Sequence, residues 1–204
     1  MSGAWLASYI ALWAIVLFQG VVIFVLLRQL GVIYLGTAQG VANDGLEVGH
    51  DAPDFSLTQL DGKSVSLASF QTMPLVMIFG SPTCAPCRGL IPDLNAFAHD
   101  RANELGVLFL SRGDEDSARR LADELSIQVP VASHPDEKLP DAYQARVTPF
   151  GFLVDEQGVI RAKGLANNRE HLELLLRNAA LDEDSRGSSS HNGSAAADRV
   201  PRQA

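Results

Sequence analysis

The chain has 204 residues, of which 47% are hydrophobic and 20% charged, and its net charge is −8. This composition excludes a wholly disordered chain, a coiled coil and a collagen-like protein. Two cysteines are too few for a multi-disulfide scaffold. The sequence shows no cluster of basic residues, so nucleic-acid binding is not expected. Between an uncharged start and a polar end, about 135 residues remain, which is enough for one globular domain.

The N-terminal segment has the pattern of a membrane anchor. From Trp5 to Leu27 it reads WLASYIALWAIVLFQGVVIFVLL, with no acidic or basic residue, and about 20 apolar helical residues span a bilayer. A cleaved signal peptide is the alternative, but the apolar run is too long for one and no Lys or Arg precedes it. We predict a transmembrane helix over 4–30 and a glycine-rich linker over 31–46. Arg28 alone would place the following domain in the cytoplasm, but one charge is weak evidence.

The segment 47–181 alternates strand and helix patterns. Two short strands flank Asp61-Gly62, which is a hairpin signal. Further strands are predicted over 75–80, 107–110, 129–132, 150–154 and 159–163, and helices over 85–104, 116–125, 140–143 and 169–181. This order predicts an α/β fold with a mixed central sheet flanked by helices. Residues 182–204 lack apolar periodicity and are predicted to form a disordered tail.

The two cysteines carry the candidate chemistry. A strand ends at Gly80 and a helix begins at about Cys84, so the unpaired N–H groups and the dipole of the helix favour a thiolate there. The two-residue spacing places Cys87 one turn later on the same face. Cys84 would attack a target disulfide and Cys87 would resolve the mixed disulfide, with Arg88 adding positive charge nearby.

Other interpretations of the cysteine pair are weaker. A structural disulfide that closes so short a loop stabilises little. A metal site usually needs four ligands, and the five histidines of the chain show no ligand spacing. We therefore expect no metal and no cofactor beyond a redox-active Cys84–Cys87 disulfide.

A proline stands directly before the strand predicted over 150–154. We predict a cis peptide bond between Thr148 and Pro149, in a segment packed against the cysteine loop. A cis proline leaves the preceding backbone free to pair with an extended peptide.

These motifs resemble known redox proteins. The cysteine pair at a helix start, Pro92 and the later segment VTPFGFLVDEQGVI resemble the thioredoxin fold. The piece VGHDAPDFSLTQLDGKSVSL resembles the redoxin branch, which includes membrane-anchored proteins of the TlpA and ResA type. VLLRQLGV, the glycine-rich linker and FGSPTCAPC resemble more specifically the MauD family of methylamine utilization proteins, over about residues 5–180.

The resemblance implies a thiol–disulfide oxidoreductase anchored in the bacterial inner membrane, with its domain in the periplasm. Cys84 and Cys87 would be the redox pair, and Thr148, Pro149 and Pro86 would form the substrate side. The implied partners are a disulfide-bearing protein, the small subunit of methylamine dehydrogenase, and a membrane or periplasmic thiol that exchanges electrons. A general TlpA/ResA-like reductase, for example in cytochrome c maturation, and a non-enzymatic client-binding module are the alternatives.

The sequence departs from thioredoxin at two positions. Thr83 stands where thioredoxin has a tryptophan, and Ile78 stands where it has a buried aspartate that serves proton transfer, so the general base is unassigned. The peroxiredoxin pattern PxxxTxxC also fails, because Met77 and Ser81 occupy its Pro and Thr positions. A peroxidase is therefore disfavoured.

Overall fold

The computed structural model describes residues 3, 5, 8–24 and 44–193, with side chains described as far as residue 181. The chain divides into two compact units, Met1–Asn43 and Asp44–Ala204.

The first unit contains helix α1 over residues 8–24. Its apolar side chains are exposed, and the rings of Tyr9 and Trp13 pack edge to face with centroids 6.4 Å apart. Among the residues described, no helix has both the length and the hydropathy needed to cross a membrane. The rest of the predicted anchor and residues 31–43 of the predicted linker lie outside the described residues.

The second unit confirms the predicted α/β fold with a mixed sheet. Its strands are β1 (Ser56–Thr58), β2 (Ser64–Ser66), β3 (Leu75–Gly80), β4 (Gly106–Arg112), β5 (Val131–His134), β6 (Phe150–Val154) and β7 (Ile160–Leu165). Its helices are a 3₁₀ turn (Leu67–Phe70), α2 (Ala85–Asp100), α3 (Glu115–Leu125), α4 (Lys138–Ala142) and α5 (Arg169–Gly193). β1 and β2 form the predicted hairpin, and the other strands form one sheet in the order β5-β4-β3-β6-β7.

The central strand β3 explains why the sheet forms where it does. All six of its residues, LVMIFG, are buried, as expected for a strand covered on both faces. It runs parallel to β4 and antiparallel to β6. Its carboxyl end at Gly80 leads into the cysteine loop, so a strand that is buried along its whole length holds the entry to α2.

Helix α2 packs its apolar face on the sheet. Leu90, Ile91 and Leu94 are completely buried there, in one cluster with Ile78 and with Leu172 of α5. Burial of each such side chain contributes about 1.5–3 kcal/mol. The first turn of α2, which carries the cysteines, is therefore the end of a firmly held element.

Several predicted boundaries were wrong. α2 ends at Asp100 and not at 104, and the elements predicted over 107–110, 116–125, 140–143 and 159–163 are Gly106–Arg112, Glu115–Leu125, Lys138–Ala142 and Ile160–Leu165. β5 begins at Val131 and not at 129, because Pro130 has no N–H to donate to a ladder. α5 continues to Gly193, past the predicted end at 181, because adding residues to a formed helix is far easier than nucleating one. Residues 194–204 of the predicted tail lie outside the described residues.

The end of the predicted linker belongs to the folded unit. Gly45 donates its N–H to the carbonyl of Gln144 and Leu46 donates to Tyr143, both at 2.9 Å. Asp44 and Gly45 are buried. The linker predicted over 31–46 was therefore too long by three residues. The sequence pattern gave no sign of this, because the hydrogen-bond partners of Gly45 and Leu46 lie about a hundred positions away along the chain.

Gly45 provides a test of this packing. Its φ is +75°, and a Cβ there would lie 2.8 Å from the rings of Phe150 and Phe152. We expect Gly45→Ala to lower the free energy of unfolding by about 2–4 kcal/mol, from left-handed backbone and overpacking together. Urea denaturation measures this loss.

Gly62→Ala is the matched control, since Gly62 has a φ of +85° but open space around its Cβ position. It should cost only the backbone part, about 1–2 kcal/mol. Equal losses in the two variants would contradict the packing of Gly45 against the aromatic rings.

Candidate active site

Cys84 caps the N-terminus of α2. Its backbone is extended (φ −84°, ψ 110°), and its Sγ accepts a hydrogen bond from the backbone N–H of Cys87 at 3.3 Å. The first turn contains no acidic residue and includes Pro86, which lacks an N–H where the helix needs none. The positive end of the helix dipole therefore faces the Cys84 sulfur without a competing carboxylate in that turn.

The two cysteines form a disulfide in which the partners are unequally accessible. Their Cα atoms are 5.2 Å apart. Cys84 is half-buried, whereas Cys87 is completely buried. An incoming thiol or disulfide therefore meets Cys84 first, and Cys87 lies behind it within bonding distance.

Arg88 does not act as an isolated positive charge. Its guanidinium is hydrogen-bonded and ion-paired with the carboxylate of Glu124 on α3. We expected Arg88 to add positive charge beside the cysteines, but the negative charge of Glu124 offsets it.

The segment around Pro149 lies against the cysteine loop, as predicted. The Thr148–Pro149 peptide bond is cis, which confirms that prediction. The carbonyl oxygen of Thr148 is 3.5 Å from Sγ of Cys84, and because a disulfide sulfur carries no hydrogen, this is a contact and not a hydrogen bond. Pro149 is buried, and its own carbonyl accepts from the N–H of Ala166 at 3.1 Å.

The structure thus brings four of the five candidate residues into one cluster. Cys84, Cys87, Thr148 and Pro149 meet where β3 ends, α2 begins and β6 begins. Pro86 lies exposed in the first turn of α2, between the cysteines. We refer to residues 146–149 as the wall of this site.

Asp44 supports the wall and was missed by the sequence analysis. Its carboxylate accepts hydrogen bonds from the backbone N–H groups of Arg146 (3.0 and 3.2 Å) and Val147 (3.1 Å), and the residue is only 4% exposed. These bonds fix the two residues that precede Thr148. No local pattern could have found Asp44, because its partners are 102 and 103 residues away.

Tyr143 anchors the turn that precedes the wall. Its hydroxyl donates to the carbonyl of Pro53 at 2.7 Å, and its ring packs on Phe79 and Phe152 with centroids 5.4 and 5.3 Å away. Burial raises the pKa of Tyr143 well above its usual value. The hydroxyl therefore stays protonated and keeps donating this hydrogen bond.

The position of the thioredoxin aspartate carries no acid in this chain, because Ile78 stands there. Ile78 is completely buried in the core, so a proton lost by Cys87 does not pass to the side chain at this position. In the part of the chain that the structure covers, no three His, Cys, Asp or Glu side chains are grouped to hold a metal ion. The chemistry that this arrangement supports is thiol–disulfide exchange.

Known proteins match this chain in sequence. The protein-family model described as AhpC/TSA family matches residues 48–163. The chain is 37% identical over 175 residues to the methylamine utilization protein MauD of Paracoccus versutus, covering 84% of this chain and 87% of that protein. It is 26% identical over 166 residues to the thiol-disulfide oxidoreductase ResA of Bacillus thuringiensis subsp. konkukian, covering 79% and 94%.

A solved structure agrees with the fold. The thioredoxin domain of a thiol-disulfide oxidoreductase from Bacteroides vulgatus superposes with a TM-score of 0.57 at 24% identity, covering 63% of this chain and 96% of that one. At this identity the match shows the thioredoxin-like fold alone.

The role of Asp44 in holding the wall can be tested directly. In Asp44→Ala, the N–H groups of Arg146 and Val147 lose their acceptor, and we expect a loss of about 1–3 kcal/mol in the free energy of unfolding. Their amide hydrogens should exchange with solvent faster, as measured by NMR. Asp44→Asn keeps one acceptor oxygen and should lie between the wild type and Asp44→Ala. Unchanged exchange in Asp44→Ala would contradict the assignment.

Proposed function

The chain belongs to the AhpC/TSA family, and from this premise we propose that it is a membrane-anchored thiol–disulfide oxidoreductase that matures the small subunit of methylamine dehydrogenase. The observation that carries the proposal is the unequal cysteine pair, with Cys84 capping α2 at the surface and Cys87 buried behind it. This is the order that a two-step exchange requires.

The two cysteines would exchange disulfides with the client in two steps, which can run in either direction. The Cys84 thiolate attacks one sulfur of a client disulfide and expels the other as a thiolate, leaving a mixed disulfide. The Cys87 thiolate then attacks Sγ of Cys84, which releases the second client thiol and forms the Cys84–Cys87 disulfide. Two electrons pass to the client, and a membrane or periplasmic thiol partner returns them. Running backward, the same steps oxidise a client dithiol.

Helix α2 favours this chemistry at Cys84 and not at Cys87. The N–H of Cys87 and the helix dipole both stabilise negative charge on the Cys84 sulfur. The wall places the carbonyl of Thr148 beside the same sulfur. An extended client segment that pairs with the wall would therefore bring its disulfide to Cys84, which is the role we propose for Thr148, Pro149 and the exposed Pro86.

Membership of this family does not make the chain a peroxidase. The peroxidatic pattern requires Pro and Thr seven and three positions before the reactive cysteine, and Met77 and Ser81 stand there. Met77 is completely buried in β3, so it contributes to the core and not to the site.

The client is proposed from the relatives. Proteins named methylamine utilization protein MauD match most of this chain, at 37% identity in Paracoccus versutus and 35% in Methylorubrum extorquens. The small subunit of methylamine dehydrogenase is rich in disulfides, so it needs a helper of this chemistry. A general reductase of the ResA type is the second candidate, supported by the 26% identity to ResA.

We place the domain on a membrane, facing the periplasm. The support is the uncharged run from Trp5 to Leu27 and the exposed apolar side chains of α1. Disulfides persist in the periplasm, whereas the cytosol keeps cysteines as free thiols. A dedicated disulfide enzyme therefore has substrates on the periplasmic side.

The division of roles between the cysteines has a direct test. Purified, reduced Cys87→Ser should form a stable mixed disulfide with the disulfide-bonded client, because the Cys84 thiolate attacks the client disulfide and the resolving thiol is missing. Mass spectrometry under non-reducing conditions measures it, with the small subunit of methylamine dehydrogenase as the expected partner. Cys84→Ser is the matched control and should trap nothing, since the accessible sulfur is gone. Trapping through Cys84→Ser, or client maturation that survives this change in cells, would contradict the proposal.

The membrane placement has its own test. Alkaline phosphatase fused after residue 181 should be active and should stay with the membrane after a carbonate wash. The same fusion without residues 1–30 should be inactive and released. Activity only from a cytoplasmic reporter fused at the same position would overturn the placement.

A further inference from the structure

One polar side chain lies near the middle of the apolar N-terminal run. The run from Trp5 to Leu27 is centred on Val16, and Gln19 follows that centre by three residues, which is about 4.5 Å along a helix axis. The hydrocarbon core of a bilayer is about 30 Å thick. In the anchor that we propose, the Gln19 amide therefore lies deep in the hydrocarbon, and its stem is too short to carry it to either surface.

The Gln19 amide needs a partner from outside its own helix. Besides Gln19, the only strongly polar side chain of the run is Ser8, whose hydroxyl donates to the carbonyl of Trp5 at 3.0 Å, as serine commonly does in a helix. Gln19 is exposed on α1 and makes no hydrogen bond within the described part of the chain. An unpaired amide is costly in hydrocarbon, where no water replaces the missing partner.

The face of α1 that carries Gln19 has the spacing of a helix–helix interface. It consists of five exposed residues that follow one another at alternating intervals of four and three positions: Ser8, Leu12, Ile15, Gln19 and Val22. This alternation is the repeat of the seam between two supercoiled helices, and we call this face the Gln19 seam. The four aromatic residues of α1 occupy other positions: Tyr9, Trp13, Phe18 and Phe24. Two copies of the seam can therefore approach each other without a bulky ring between them.

A second copy of the chain matches this seam. All copies insert into the membrane in one orientation, so two seams run parallel and Gln19 of each copy lies at the same depth. Equivalent core positions face each other across a parallel pair of helices. A carboxamide has two N–H donors and one acceptor oxygen, so each Gln19 can both donate to and accept from the other. A different partner would need a polar group of its own at this depth.

We infer that α1 forms a parallel homodimer in the membrane through the Gln19 seam, with the two Gln19 amides hydrogen-bonded to each other. The inference rests on the membrane placement proposed above and adds to it the partner of the anchor. A single polar residue among apolar seam positions also fixes which residues face each other, because any shift would leave both amides unpaired. The dimer tethers two oxidoreductase domains to one anchor.

Association of full-length chains in vesicles tests the dimer. Copies with a donor or an acceptor fluorophore at the C-terminus, and with the Cys84–Cys87 disulfide closed, are reconstituted in phosphatidylethanolamine and phosphatidylglycerol. Energy transfer is then measured as the chains are diluted with lipid. We expect Gln19→Leu to raise the dissociation constant of the dimer about 3- to 20-fold, the range for hydrogen bonds between membrane helices.

Two variants assign this loss to the amide. Gln19→Asn keeps an amide at the same depth and should keep most of the association. Phe24→Leu is the matched control, since Phe24 is exposed on the side of α1 away from the seam, and it should keep the wild-type dissociation constant. A dissociation constant that Gln19→Leu leaves unchanged would overturn the inference.

The face itself is tested with a matched pair of thiols. Leu12→Cys is at a seam position and Leu17→Cys is on the opposite face, and each is made in the chain with Cys84→Ser and Cys87→Ser, so that the new thiol is the only one. Oxidation in vesicles should link two copies through Leu12→Cys and not through Leu17→Cys. Equal linking at both positions, or linking of Leu12→Cys in cells to another membrane protein in place of a second copy, would overturn the inference.

Failure of the dimer and failure of the membrane placement give different results. A wild-type chain that stays with the vesicles after a carbonate wash but shows no energy transfer would overturn the dimer and leave the placement standing. A chain that the wash releases would overturn the placement and the dimer with it.

Discussion

The hydrogen bond from the N–H of Cys87 to Sγ of Cys84 is the contact on which the site depends. It makes a sulfur atom the cap of α2, so that the unpaired N–H groups and the dipole of the helix act on the atom that must carry charge. The same turn places the second sulfur behind the first. Both conditions hold only if the helix starts at one position, and the buried strand β3 and the apolar face of α2 determine where that is.

The other side of the site has no helix to hold it. The wall at 146–149 is irregular backbone, and long-range contacts keep it beside Cys84. Asp44 accepts from two of its N–H groups, and Tyr143 anchors the segment before it through Pro53 and two aromatic rings. Two of these partners, Asp44 and Pro53, lie near the beginning of the folded unit.

The two faces of the sheet differ in the polarity of their buried side chains near the site. On the face covered by α2, Ile78 is apolar where thioredoxin carries an acid. On the opposite face, His134 is buried and packs its ring on Phe79.

The sequence by itself determined the α/β fold, the strands 75–80 and 150–154 to the residue, the cysteine pair at a helix start and the cis bond at Thr148–Pro149. Each of these depends on neighbouring residues: an apolar run, a two-residue spacing, a proline before a strand. Only the tertiary structure decided that Asp44 and Gly45 belong to the folded unit, that Arg88 pairs with Glu124, and that His134 packs on Phe79. Those features join side chains to partners far along the chain, and a local pattern carries no information about which distant backbone groups will lie within hydrogen-bonding distance.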